Sequence, residues 1–221
     1  MTGLGFSKQF FDLPASLPLF PLGGVLLLPY GRLPLNIFEE RYLAMADDAL
    51  RSERLIGVIQ PSNEAESQQK FPPLYETGCA GRITAFSETD DGRYLVTLLG
   101  VCRFNIVQEI DSTRGYRRVV PNWGPFRADI EKPDKFEMDK ERLLVALKVY
   151  FEKKTIDADW KAINSMNNIQ LITTLAMICP FDATEQQALL VAENIEDRAS
   201  TMISLLEMAN HEEDGIKDVK H

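Results

Sequence analysis

The period of the hydrophobic positions changes part way along this chain. Between Glu39 and Arg51, the residues Tyr42, Leu43, Ala46, Ala49 and Leu50 recur at helical spacing and line one face, which predicts an amphipathic helix. Around it the apolar runs are short and punctuated. Leu17 to Leu28 reads as a strand pair broken by Pro21, Gly23 and Gly24, and Leu55 to Ile59 as a strand ended by Pro61. The polar stretch Ser62 to Lys70, followed by Pro72 and Pro73, predicts a long surface loop that returns to the sheet near Tyr75. Cys79 to Ser87 and Tyr94 to Leu99 are β-rich runs joined across Glu88 to Gly92. There the Asp91-Gly92 pair supplies the positive-φ positions of a hairpin turn. Val101 to Ile110 and Tyr116 to Val120 continue the strand pattern, and Pro121, Gly124 and Pro125 close it.

After Pro133 the strand pattern stops. Leu143, Leu144, Leu147, Tyr150 and Phe151 fall on one helical face, and Ile169, Ile172, Leu175 and Ala176 mark a second helix that Pro180 ends. Thr184 and Gln187 have capping-box spacing ahead of a third helix containing Leu189 and Leu190. Met202, Leu205, Leu206 and Ala209 mark a last one. The expected organisation is a lead-in over 1–16, a β-rich unit over 17–127, a helical unit over 134–210 and a tail over 211–221. The fold class is α+β: a mostly antiparallel β-unit with one helix, then a helical bundle.

Composition narrows what such a chain does. A hydrophobic content of 45% over 221 residues supports a sizeable core without staples. Cys79, Cys102 and Cys179 are odd in number, widely spaced and flanked by apolar residues. They read as buried thiols in a reducing compartment. The first thirty residues hold one basic residue, Lys8, and prolines and glycines interrupt the apolar stretch from Leu17 to Tyr30, so neither a signal peptide nor a membrane span is expected. A cytoplasmic protein is the corresponding expectation. The net charge of −9 opposes binding to nucleic acid or anionic lipid. One basic cluster, Arg114, Arg117 and Arg118 around Tyr116, is either the solvated face of a strand or a weak anion-binding patch.

Catalytic constellations are hard to assemble from these residues. No Gly-Lys pair exists for a phosphate-binding loop, and the only histidines are His211 and His221, in the terminal region. The adjacent acids Asp47-Asp48, Asp90-Asp91 and Glu212-Glu213 read as solvated. No enzyme activity, cofactor or metal site is expected.

The run from Leu17 through Gly31, LPLFPLGGVLLLPYG, and the following LPLNIFEERY over Leu33 to Tyr42 resemble the opening of the Lon protease N-terminal domain family. Gly78-Cys79-Ala80-Gly81-Arg82-Ile83, then Asp91-Gly92-Arg93, then Leu99 to Phe104 follow that family's strand and hairpin pattern. Glu185 to Leu190 with Ile195 to Ala199 is similar to its helical tail. The resemblance spans roughly Leu17 to Ala209. It implies a PUA-like β-barrel followed by helices, and a free-standing recognition domain without ATPase or peptidase modules. It further implies a substrate-binding role toward unfolded or partly folded proteins, service to a full-length Lon-type protease in trans, and no catalytic residue to carry over.

An apolar groove or open sheet edge would supply the binding surface. The candidates are Leu26, Leu27, Leu28, Pro29 and Tyr30 with Phe71, Leu74 and Tyr75, core packing being the competing role for the leucines. A PUA-like nucleic-acid binder and a small-ligand receptor are the alternatives.

Overall fold

The computed structural model describes residues 12–63, 69, 71–111, 114–131 and 136–217, the side chains of 212–217 excepted. It divides into two compact units, Met1–Pro133 and Asp134–His221.

The first unit is built on six strands: β1 (Leu17–Pro21), β2 (Arg32–Ile37), β3 (Leu55–Ile59), β4 (Thr77–Glu88), β5 (Tyr94–Ile110) and β6 (Arg117–Asn122), with helix α1 (Glu40–Arg51) between β2 and β3. Their order is β2-β5-β4-β3-β1-β6, and a further β5–β6 pairing closes β5, β4, β3, β1 and β6 into a barrel. Only β1 and β3 run parallel; the other pairs are antiparallel. Closure leaves no unpaired ladder around the ring. Leu17, Leu19, Leu55, Ile59, Ala80, Phe104 and Val119 fill the interior. Gly57 has no room for a side chain, because a Cβ there would meet Leu17, Leu19 and Phe104 within 2.9 Å. Helix α1 buries Tyr42, Met45, Ala46 and Ala49, and the Tyr42 ring lies 4.5 Å from that of Phe20.

Strand β5 is one continuous element where the sequence suggested two. Its first half pairs with β2 and β4, beyond the ring, and its second half pairs with β4 and β6 inside it. Bulges between Ala80/Gly81, Ile83/Ala85 and Ile106/Gln108 accompany the bending that lets one strand serve both. The result is a three-stranded wing, β2-β5-β4, carried on the barrel. The hairpin turn is closed by Thr89 N–H to Arg93 O at 2.9 Å, with Gly92 at φ +78°.

The strand pair expected over Leu17 to Leu28 is only half present. Its second half runs as irregular chain across the inner face of the wing, because Pro29 lacks an N–H and Tyr30 adopts φ +66°. Tyr30 N–H donates to Gly100 O at 2.9 Å and Gly100 N–H to Gly31 O at 2.8 Å. A Cβ at Gly100 would stand 2.0 Å from Leu28 O, and one at Gly81 2.8 Å from the Leu27 side chain. The two glycines form a trench that the leucines fill. The described end of the lead-in is held as well: Trp123 Nε1 donates to Pro14 O at 3.1 Å and Arg118 Nη2 to Ser16 Oγ at 2.6 Å.

The second unit comprises α2 (Lys140–Lys154), α3 (Trp160–Ser165), α4 (Asn168–Ile178), α5 (Ala183–Val191) and α6 (Ile195–Lys217). Side chains of Asp139, Asp159, Asn167 and Asp182 cap four of these starts, each accepting an otherwise unpaired backbone N–H. The capping box of α5 is Asp182 with Glu185, two residues before the expected Thr184 and Gln187. Thr184 already lies inside the first turn and Gln187 is buried. The short α3 escaped the sequence pattern because six residues are too few to show a period. The unit's core gathers Tyr150, Phe151, Trp160 and Phe181, with ring centroids 5.9–6.3 Å apart.

Candidate functional site

The candidate peptide-binding residues separate by burial. Leu26, Leu27 and Leu28 are sealed in the trench under the wing, so core packing is the role the structure gives them. Tyr30 is 43% exposed, and its hydroxyl lies 2.9 and 2.8 Å from the Asp129 and Glu131 carbonyl oxygens, to which it can donate. Burial, then the nearby Asp129 carboxylate, raises its pKa and keeps the proton available for that bond. Phe71 is 54% exposed, whereas Leu74 and Tyr75 are partly buried against the end of β3. Tyr75 N–H donates to Gln60 O at 3.0 Å, and Leu74 pairs with Pro61. Tyr30 and Phe71 are thus anchored by different elements: the wing for one, the end of β3 for the other.

The three arginines of the basic cluster are engaged. Arg114 binds the Asp48 carboxylate, which also accepts from the Tyr116 hydroxyl at 2.7 Å. Arg117 binds Glu109 and Pro72 O, and Arg118 binds Ser16. An anion would have to displace these partners, so the cluster serves to tie β6 to α1, β5 and the lead-in. Partners brought from other elements, Asp48, Glu109, Pro72 and Ser16, decided this.

A surface that the sequence reading missed lies on the outer face of the wing. Along β2 the exposed positions are Arg32, Pro34 and Asn36; the inward ones are Leu33, Leu35 and Ile37. Register places Arg32 opposite Leu99, Pro34 opposite Thr97 and Asn36 opposite Leu95. From β4, Arg82, Ala85 and Ser87 pair with the same three β5 residues, so these nine share one face. Leu95 is 45% exposed there. Phe38, one residue past β2, is 64% exposed, and the Arg93 guanidinium stacks over its ring at 5.9 Å. Period-2 alternation through Tyr94 to Leu99 could have revealed Leu95 as the outward apolar residue, but a run of three leucines and a valine hides the parity.

The edge of the wing is less suited to a partner than its face. Strand β2 ends the sheet order, and Pro34 stands in its middle, tolerated because its missing N–H is on the side with no strand. A strand added there would lose a ladder bond.

Elsewhere the helical unit offers an open groove of about 600 Å³ lined by Arg142, Val145, Val149, Glu207 and His211. A two-point bridge spans its residues, from Arg142 Nε and Nη2 to the Glu207 carboxylate at 2.7 Å each. Among the described residues no group of three or more His, Cys, Asp or Glu is arranged to hold a metal ion. No helix among them is long and apolar enough to cross a membrane.

A small barrel with a wing and a helical unit define an α+β protein. The chain belongs to the family of ATP-dependent protease La (Lon) substrate-binding domains, whose model matches residues 16–208. It is 25% identical over 195 residues to a Lon protease of Flavobacterium johnsoniae, covering 85% of this chain and 23% of that protein. It is also 28% identical over 102 residues to a Lon protease of Anaeromyxobacter dehalogenans, covering 46% and 12% respectively. The match therefore spans about a quarter or less of these relatives' length. Among solved structures, a Lon N-terminal domain protein from Xanthomonas campestris aligns with TM-score 0.59 and 24% identity, covering 86% of this chain and 97% of that one. The N-terminal domain of a Mycobacterium avium complex Lon protease aligns at TM-score 0.56 and 14% identity, covering 89% and 98%. Both share the fold.

Proposed function

We propose that the β-unit captures apolar stretches of unfolded or partly folded proteins on the outer face of the wing. The observation that carries this reading is two large apolar side chains left open on the wing, Leu95 on the outer face of β5 and Phe38 one residue past β2, on a sheet whose inner face is crossed by the buried Leu26–Leu28 segment. Scattered exposed apolar residues are ordinary, whereas large ones left open on one sheet offer a docking surface. Tyr30 and Phe71 extend the apolar surface at other points of the unit. Membership of a substrate-binding family supports the same role. The wider role is that of a non-catalytic adaptor, passing clients to a Lon-type protease in trans. Three buried thiols suit a reducing cytoplasm.

The test is fluorescence anisotropy with a labelled, permanently unfolded protein. Phe38→Ser and Leu95→Thr each weaken binding about tenfold, the scale of one buried apolar side chain. Unchanged affinity in the double variant, with an unchanged melting temperature, would overturn the assignment. A nucleic-acid role has less support, since the basic cluster is internally paired and the chain is acidic.

A further inference from the structure

The outer face of the wing is charged as well as apolar, and within its three paired rows the charge is of one sign. Its three rows are Arg32–Leu99–Arg82, Pro34–Thr97–Ala85 and Asn36–Leu95–Ser87, with no carboxylate among them. In a chain of net charge −9 this is a segregated surface. Arg32 and Arg82 flank Leu99 from opposite sides, with Cα atoms about 10 Å apart across two strand spacings. Among the described residues the Arg32 guanidinium makes no hydrogen bond or ion pair. Arg82 reaches only the Glu53 carbonyl, at 3.5 Å, and the Glu53 charge is nearby. Burial lowers its pKa, a sign that its surroundings under-compensate the cation. Arg93, at the other end, is bridged to Asp91 at 2.8 Å and adds little net charge.

We infer that the Arg32–Arg82 pair receives a carboxylate of the bound segment, so that this face selects extended stretches in which an acidic residue lies four positions from a large apolar one. This deepens the function proposed above and rests on it. The spacing follows from the sheet. Leu99 and Leu95 lie four residues apart on one strand, about 13 Å, and an extended ligand along β5 presents its own side chains to the face with the same period. An apolar side chain seated on Leu95 thus brings a side chain four positions away over Leu99, between two guanidiniums. A carboxylate there accepts charge-assisted hydrogen bonds from both.

The experiment uses the full chain and labelled twelve-residue peptides, each with a single Phe. One series carries Glu four positions after Phe, one four positions before, one has Gln in place of each Glu, and one has Glu next to Phe. In whichever direction binds, the Glu peptide at the four-residue spacing should bind about tenfold tighter than its Gln counterpart. Raising salt from about 50 mM to about 500 mM should shrink that ratio. Arg32→Gln, at an exposed edge position, should leave the melting temperature unchanged and bring the ratio close to one while binding of the Gln peptide persists. Equal affinity of Glu and Gln peptides, or a preference indifferent to spacing, overturns the inference and leaves the capture of apolar segments standing. Binding of none of the peptides, together with no binding of the unfolded protein, overturns both.

Discussion

The Arg103 guanidinium and the Asp129 carboxylate meet in a two-point pair, Nε to Oδ2 and Nη2 to Oδ1 at 2.9 Å each, and Arg103 is only 3% exposed. The Arg103 backbone N–H donates to the same carboxylate at 2.9 Å, and the Phe126 ring covers the guanidinium at 4.6 Å. Arg103 follows Cys102 on β5 and faces out of the barrel, where the turn Gly124–Ile130 folds over it. Two buried charges therefore fasten that turn to the barrel wall. Removing one partner leaves the other sealed and uncompensated, so Asp129→Ala should lower unfolding free energy by about 3–5 kcal/mol. Urea denaturation checks this; a loss below about 1 kcal/mol would show that the turn opens to water instead.

Gly100 carries the crossing of the Leu26–Leu28 segment. With Leu28 O only 2.0 Å from where a Cβ would stand, Gly100→Ala must push backbone, not a flexible side-chain end. The expected cost is about 3 kcal/mol or more. Gly23→Ala, with open space around the added methyl, is the control and should leave the melting temperature nearly unchanged.

The buried thiols should be inert in the native state. Burial pushes both Cys102 and Cys179 up to about 12, and Cys79 is likewise buried. Thiolate is the reactive form, so labelling by a maleimide at neutral pH should await unfolding and appear in step with the denaturation curve. Rapid labelling of any of the three in native buffer would contradict the packing.

Asp48 links α1 to the hairpin side of β6. Burial raises its pKa, but hydrogen bonds from Tyr116 and Arg114 outweigh that and hold it below the usual carboxylate value. A depressed native pKa means stability that is present above the unfolded-state pKa and lost as pH falls through the native one. Wild type should therefore lose its advantage over Asp48→Asn between about pH 4 and more acid conditions. Parallel urea midpoints across that range measure it; an advantage that grew on acidification would refute the assignment.

Much of this was legible in the sequence for local reasons. Helix α1, strand β3, the hairpin at Gly92 and the helices of the second unit other than the short α3 follow from side-chain period and from residues suited to turns and ends, properties of neighbouring positions. The family resemblance along Leu17 to Ala209 was legible because glycines such as Gly81 and Gly100 occupy places where no side chain fits. Tertiary structure decided what contacts far along the chain determine. The apolar run Leu26–Leu28 looked the same whether destined for core or surface, and only the trench at Gly81 and Gly100 buried it. Arg114, Arg117 and Arg118 read from sequence as a solvated strand face or a weak anion-binding patch, and only the fold brings Asp48, Glu109 and Ser16 beside them. The wing's outer face exists only through register, which set Arg32, Leu99 and Arg82 in one row from three separate strands. Period fixes which way a residue points within its element, whereas long-range pairing fixes what it meets there.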